Sequence, residues 1–433
     1  MKSRRSAWRN WSKTVEADPS RIERPADAEA TQAIIRDALA HGSRVRPVGN
    51  GFSASGIAAS PEIAVDVTAL RGLVRVDAEA GLATFLPGTT LGEAMAALED
   101  VGLAFESSTR NVDVTLGGII ATGGHGWGHG YGPISSFLTE MKLVTGTGEL
   151  ITVSARKNAE LWSAARINLG ALGIMTELTF RVVPAYTAKV TERLENSLAF
   201  TDKLEERMAG AHHVQASWRP HTGRIAVTRA MHVPHQASGA IRPGKVTASG
   251  QDFRSQLRIG VGRVVPALVP TLNRLANVFN TSRMLEGEPQ AALASRPEVP
   301  VSTLEYSVPI AATGAVLREL DRAIERQRLA VPSEVFVTTT APDDAYLAQS
   351  YGREVGNISV RMPSSMNSGA YFACAEEIFI DYEGLPHWAG AHTLRAEEIA
   401  YVLPRFGDFL SVRHRLDPNL MFTNPYLERV LGE

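Results

Sequence analysis

Two glycine-rich stretches in the first third of the chain carry the residue types that could hold a charged cofactor. Val48-Gly49-Asn50-Gly51-Phe52-Ser53 follows Arg44-Val45-Arg46-Pro47, which reads as the end of a strand. Glycines just after a strand let the backbone turn with positive φ. Their missing side chains also let successive main-chain N–H groups close on an anion, as a nest suited to a diphosphate. A strand followed by Gly-x-Gly is by itself also an ordinary turn. The second stretch is Thr115-Leu116-Gly117-Gly118-Ile119-Ile120-Ala121-Thr122-Gly123-Gly124-His125-Gly126. Glycines there crowd a short apolar run, so backbone must again lie against something flat or charged. Two such loops in one region predict a large diphosphate cofactor laid across the N-terminal part.

The elements that position these loops alternate between helix and strand. Apolar residues at helical spacing over 27–42, with Gly42 as a stop, predict a helix. Strands follow at 44–48, 63–67, 73–77 and 83–88. Thr90 caps a helix over 91–101 that Gly102 ends. Gly146-Thr147-Gly148 between 140–145 and 150–153 is a hairpin signature. A helix begins at Asn158, and Leu172-Gly173-Ile174-Met175 leads into a strand over 177–183. Beyond Pro184 the reading gives strands at 214–218, 224–229, 303–308, 335–340, 357–361 and 378–382. It gives helices at 258–280, broken by Pro266 and Pro270, at 313–328 and at 396–414. Residues 234–250 and 289–300 read as loops. The class is α+β.

With 433 residues, the chain is long enough for two domains. It is 44% hydrophobic and 21% charged, with a net charge of -2, so no global field draws it to nucleic acid or a membrane. Cys374 is the one cysteine, which excludes an intrachain disulfide and a cysteine-rich metal site. Met1-Lys2-Ser3-Arg4-Arg5 is basic, but Trp8-Arg9-Asn10-Trp11-Ser12 follows where an export signal needs an apolar core. No apolar run spans a bilayer. The expected location is the cytoplasm, with no stable membrane anchor. Cys374 reads as a small buried residue, and Asp343-Asp344 as a turn or helix start. The histidines, His212-His213 included, lack zinc spacing, so no metal is predicted.

Over nearly its whole length the chain resembles the sugar-lactone and alditol oxidase branch of the vanillyl-alcohol-oxidase-type flavoproteins. Besides the glycine loops, the resemblance is carried by Trp8-Arg9-Asn10-Trp11, by Leu161-Trp162-Ser163-Ala164-Ala165-Arg166 with Leu169-Gly170-Ala171-Leu172-Gly173, and by Trp218-Arg219-Pro220-His221-Thr222. Later come Glu305-Tyr306 with Val308-Pro309, Tyr351-Gly352-Arg353, Pro386-His387-Trp388 with His392-Thr393, and Leu416-Asp417-Pro418 with Phe422 and Asn424. The resemblance implies an FAD-binding domain over 1–186, a sheet-and-helix substrate cap over 187–395, and a segment over 396–433 returning to the FAD domain. FAD would be held by Arg46, Gly49, Asn50, Gly51, Phe52 and Ser53, and by Thr115, Gly117, Gly118, Thr122, Gly123, Gly124, His125 and Gly126. Gly173 and Ile174 would offer further backbone. His387 and Glu334 would serve the substrate. Each has a plainer reading: His125 as a satisfied loop histidine, His387 as core packing beside Trp388, Glu334 as a solvated strand carboxylate.

The sequence departs from that family at three places. Phe52 stands where many members carry a histidine bonded covalently to the flavin, so FAD is expected to be noncovalent. Glu334-Val335-Phe336 lacks the arginine of a Glu-x-Arg pair, and Gly390 replaces a lysine after the His-Trp motif. Preorganised donors of this kind are worth roughly 10²–10³ in rate each. The family's usual sugar reaction therefore needs replacements for them. The expected function is FAD-dependent oxidation of a hydroxyl carbon in a small sugar lactone or polyol, with hydride passing to flavin N5. His387, with an ordinary pKa of about 6.5, would take the hydroxyl proton. Glu334 would accept a substrate hydrogen bond, and O2 would be the acceptor. Two alternatives stay open: an oxidase or dehydrogenase for a less polar substrate, and an FAD-binding protein that no longer turns over.

Overall fold

The computed structural model describes residues 8–234, 253–278, 283–287 and 299–432. The helix Ala28–His41 begins because the Asp27 side chain accepts from Ala30 N, and it stops at left-handed Gly42. It buries Thr31, Ile35 and Ala38. Ile35 and Ala38 pack with Val45, Ile63 and Val65 of a small parallel sheet made of Arg21–Glu23, Ile63–Asp66 and Val45–Val48. A second, antiparallel sheet runs in the order Leu150–Ser154, Leu138–Val144, Ile174–Arg181, Leu82–Phe85 and Leu73–Asp77. The helix Leu91–Glu99, started by a capping box between Thr90 and Glu93, buries Leu91, Ala94 and Leu98 in one core with Ala83 and Phe85 of this sheet. The predicted Gly146 hairpin is present, pairing Leu150 with Val144.

The rest of the chain is built on an eight-stranded antiparallel sheet. Its order is Arg283–Gly287, Tyr186–Asn196, Arg224–Pro234, His213–Arg219, Val335–Thr340, Val355–Pro363, Val301–Pro309 and Leu385–Pro386. Strand alternation gives this sheet two unlike faces. Leu304, Tyr306, Val308, Val337, Ile358 and Val360 are buried in the main core with residues of the helices Ile310–Arg326 and Gly369–Asp381. On the other face stand Thr303, Glu305, Phe336, Thr338, Asn357, Ser359 and Arg361. The register puts Ser359 opposite both Glu305 and Phe336, and Arg361 opposite Thr303.

Several expectations from sequence need correcting. Residues 378–382 belong to no strand; Ile378 and Phe379 are in the last turn of the helix Gly369–Asp381. Their β-branched and aromatic character is used for core burial on a helical face that starts at Tyr371 and Phe372. The helix expected over 396–414 is two helices, Ala396–Val402 and Phe406–Leu416, parted at Pro404. The stretch over 258–280 is Phe253–Val264, a 3₁₀ turn at Pro266–Leu268, and Val269–Val278. The second glycine stretch contains a short helix, Leu116–Ala121. The loops expected over 234–250 and 289–300 lie almost wholly outside the described residues.

The C-terminal segment ends against the N-terminal sheet. Phe422 is buried with Ile35 and Val45. Asn424 caps the helix Pro425–Leu431 and donates to the carbonyls of Gly56, Ile57 and Ala59. One buried cation ties these parts together. Arg46 Nη1 donates to the carbonyls of Gly170 and Phe422, each at 3.0 Å, and Nη2 to those of Ile57 and Leu169, each at 2.8 Å. Burial, with the charge of Arg413, lowers the Arg46 pKa to about 9, so it stays protonated at neutral pH. Replacing Arg46 by Met leaves four inward carbonyls without their donor. The expected loss is about 3 kcal/mol or more of unfolding free energy, read as a lower urea midpoint; an unchanged midpoint refutes this tie.

Candidate functional site

A cavity of about 400 Å³ separates the two glycine stretches from the open face of the cap sheet. From the first stretch it is lined by Arg46, Gly49, Asn50, Gly51, Phe52 and Ser53. Thr115, Gly117, Gly118, Thr122, Gly124, His125 and Gly126 line it from the second. The two stretches touch: a Cβ on Gly49 would sit 2.3 Å from Thr115 Oγ1, so only glycine fits. Asn50, Gly51, Phe52 and Ser53 donate their main-chain N–H groups to no protein acceptor among the described residues. Such a row of unused donors in a cavity wall matches the needs of a diphosphate. Gly51 has φ 69°, and its carbonyl accepts from Trp11 N at 2.8 Å. The Phe52 ring packs on Trp11, centroids 5.4 Å apart.

Gly173 also lines the cavity, and its φ of 152° and the nearby Val144 carbonyl exclude a side chain. Two predicted cofactor residues stand off the wall. Gly123 turns the chain with φ 68° beside Gln349 and Ile167. The side chain of Ile174 is buried in the core around Ile35.

Where the second stretch meets the cap sheet, His125, Glu305 and His387 converge. His125 Nε2 lies 2.9 Å from Glu305 Oε1, and Nδ1 lies 3.0 Å from the Gly126 carbonyl. Two acceptors require two N–H donors, which favours the imidazolium. Burial alone would lower the His125 pKa, but the hydrogen bond and charge of Glu305 raise it above its ordinary 6.5. For Glu305 burial pushes upward, and the hydrogen bond and charge of His125 hold the carboxyl far below the usual range. The His387 ring meets His125 edge-on at 5.6 Å. Its Nδ1 accepts from Ala389 N at 3.1 Å, so the proton of the neutral ring sits on Nε2. Burial lowers its pKa to about 4. The three side chains are close enough to bracket a cation, but both His125 nitrogens and His387 Nδ1 are already engaged.

Glu334 precedes the strand Val335–Thr340 and is absent from the cavity wall. Its carboxylate accepts from Ser217 Oγ at 2.7 Å and pairs with Arg219. Phe336 lies on the wall, with the Arg361 guanidinium 4.3 Å above its ring. Gly390 lies on the wall too, its N–H donating to the His387 carbonyl at 2.8 Å. Among the described residues, no helix is long and apolar enough to cross a membrane.

Residues 178–430 match the profile of the D-arabinono-1,4-lactone oxidase family, and residues 19–154 that of an FAD binding domain. The chain is 30% identical over 428 residues to an L-gulono-1,4-lactone dehydrogenase of Mycobacterium tuberculosis, covering 98% of this chain and 99% of that one. The chain belongs to the D-arabinono-1,4-lactone oxidase family. An L-gulonolactone oxidase of Scyliorhinus torazame is 28% identical over 97% of each chain. In fold, the chain is similar to cholesterol oxidase from Brevibacterium sterolicum, with a TM-score of 0.83 at 15% identity, covering 98% of this chain and 96% of that one. The protein is thus an FAD-dependent oxidoreductase.

Its site contains residues that sequence reasoning gave no role. Glu305 stood out only as part of a family-like Glu-Tyr pair; its partner His125 is 180 positions away, and no local spacing signals that. Arg361 and Ser359 alternate with apolar residues in their strand, a pattern that marks a wall without saying what it faces.

The His125–Glu305 pair carries a signed pH dependence. Glu305 has a depressed pKa, so its contribution to stability is full above its ordinary 4.5 and is lost as pH falls through the folded value. His125 has a raised pKa, so its contribution is full below 6.5 and is lost as pH rises through the folded value. Glu305→Gln should therefore lower the melting temperature most between those two ordinary values and less at alkaline pH. It should also lower the His125 pKa in an NMR titration; an unmoved His125 breaks the assignment.

Proposed function

We propose that the protein oxidises a hydroxyl-bearing carbon of a polyhydroxylated small molecule, a sugar lactone or polyol, with FAD as immediate acceptor and O2 as final acceptor. The observation that carries this reading is the convergence of His125, Glu305 and His387 where the second glycine stretch meets the cap sheet. FAD held by the two stretches supplies an acceptor for the hydride leaving the substrate carbon. The side chains around it bind, orient and exclude water. Thr303, Thr338, Asn357 and Ser359 offer short polar groups to substrate hydroxyls along one sheet face.

His387 stands nearest to the work of moving the hydroxyl proton. With Nδ1 held by Ala389 N–H, its Nε2–H is a donor to the substrate oxygen. Acting as a base at Nε2 requires that contact to open and the proton to shift to Nδ1. Glu334 would act at one remove, orienting Arg219 and Ser217 where two central strands of the sheet end and begin. We divide the chain as 1–186, 187–395 and 396–433. Burial of Phe422 with Ile35 supports the return of the last part to the FAD domain. The reading needs no metal, nucleic acid or membrane anchor, and the single cysteine, Cys374, suits the cytoplasm.

The less polar substrate that Phe336 brings to mind is disfavoured by one observation. The ring's face is covered by the Arg361 guanidinium, so it offers no bare apolar wall.

His387→Ala should slow anaerobic flavin reduction by saturating substrate about 10²–10⁴-fold while FAD content holds. If His387 is the base, the wild-type rate falls as pH drops through about 4, since the base must be unprotonated. If it acts only as a donor, that fall is absent. Reduction unchanged in the variant removes His387 from the reaction, and reduced flavin stable in air removes O2 as acceptor.

Phe52 allows a second test. A phenyl ring has no nucleophilic nitrogen for a bond to flavin, and it is packed on Trp11. Acid precipitation should leave the yellow colour in the supernatant and the protein mass without added FAD. Colour retained in the pellet with an FAD-sized mass increase would point to His125 or His129.

A further inference from the structure

We propose that Arg361, seconded by Arg110, is an anion anchor in the cavity wall, and that the hydroxylated substrate, lactone or polyol, also carries a carboxylate that docks there. The inference rests on the reading that a hydroxyl-bearing substrate meets FAD in this cavity. Arg361 projects from the strand Val355–Pro363 on the same face as Ser359 and Asn357. A guanidinium has five N–H donors. Among the described residues Arg361 makes one long hydrogen bond, Nε to Ser359 Oγ at 3.4 Å, and rests on the Phe336 ring. Among the described residues no carboxylate pairs with it. The Phe336 ring holds the guanidinium through its π face without using its donors, which leaves them for bidentate recognition of a carboxylate.

Arg110 enters the same cavity from the loop ahead of the second glycine stretch. Its Nη1 donates to Gln215 Oε1, its guanidinium lies 5.7 Å from the Trp127 ring, and its buried Nε has no partner. The carboxylates that act on these two cations are turned elsewhere. Glu305 is held by His125, Glu334 by Arg219 and Ser217, and Glu192 accepts from Thr228 Oγ1 at 3.2 Å. The two arginines also repel each other. Both side chains are half-buried in the cavity wall, and the nearby carboxylates favour their charge without pairing with them, so fork donors remain for an anion. The register places Arg361 two residues beyond Ser359, which is opposite Glu305. The guanidinium, however, leans back over Phe336, so a carboxylate on it and a reacting hydroxyl beside Glu305 and His387 are separated by two strand spacings, roughly 10 Å across the sheet. A short hydroxylated chain bridges that distance.

The test uses the FAD-loaded protein and a panel of aldonates and uronates, gluconate and glucuronate among them, each beside its neutral amide. Calorimetry should show at least one acid binding roughly 10–100-fold more tightly than its amide, the range for a hydrogen bond to a charged group. Arg361→Gln should erase that preference and Arg361→Lys should keep part of it. Equal binding of acids and amides by the wild type, or no binding of any acid, overturns the proposal without using a variant. A preference that survives in Arg361→Gln, together with lost FAD or a lowered flavin midpoint potential, assigns the cation to the cofactor and overturns it too. Acid preference without flavin reduction by any hydroxylated compound leaves the anion site standing and defeats the oxidation reading. Reduction by neutral polyols with no acid preference does the reverse.

Discussion

The fold hangs on one guanidinium that serves no anion. Arg46 is buried, and its two terminal nitrogens are spent on four main-chain carbonyls from three distant segments. A lysine has no planar fork with which to bridge such a set. The consequence is geometric. The residues before the first glycine turn, the loop at Leu169 and Gly170, and the C-terminal segment at Phe422 are all referred to one point. The first glycine turn begins three residues beyond Arg46. Thr115 then registers the second stretch against the first, because its hydroxyl occupies the space a Gly49 side chain would need.

A second constraint follows from the pleat of the cap sheet. Its three neighbouring strands Val335–Thr340, Val355–Pro363 and Val301–Pro309 bury every other residue against two helices, so the alternate residues must face the FAD domain. A slip of one residue would bury Glu305 and Arg361 in the core and expose Leu304 and Val360 to the cavity. The energy of apolar burial thus sets the register that aims the polar residues. The His125–Glu305 contact closes the seam between the two halves, and it does so at the place where chemistry is expected. Positioning the reacting groups and holding the cap in place are therefore one interaction.

Much of this was legible in the sequence, because it rests on local rules. The glycine turns, the Thr90 and Asp27 caps and the Gly146 hairpin are each written within a few residues. What was not legible shares a cause. Ile378 and Phe379 looked like strand by residue type, and only the burial of Tyr371, Phe372 and Cys374 on the same face reveals a helix. Glu334 was favoured by its place in a recognisable pair, whereas Glu305, two strands away, is the carboxylate on the cavity wall. Cross-strand neighbours lie tens to hundreds of positions apart, so no sequence spacing announces them.

The same logic bears on the cations the family pattern lacks here. Read along one strand, Phe336 is a loss of charge. Read across the sheet, it is the ring on which another cation, Arg361, rests. Phe336 is opposite Ser359, so the residue two further along that strand, Arg361, is its diagonal neighbour on the same face. A long side chain at a diagonal position reaches over an aromatic ring, and the 4.3 Å contact shows that this one does. An arginine at 336 would have faced Arg361 as a like charge at that distance, in a wall that already holds Arg110. The phenyl ring removes that repulsion and gives the remaining guanidinium a π face to rest on. Phe336 and Arg361 are therefore better understood as one unit than as a missing residue and a spare one.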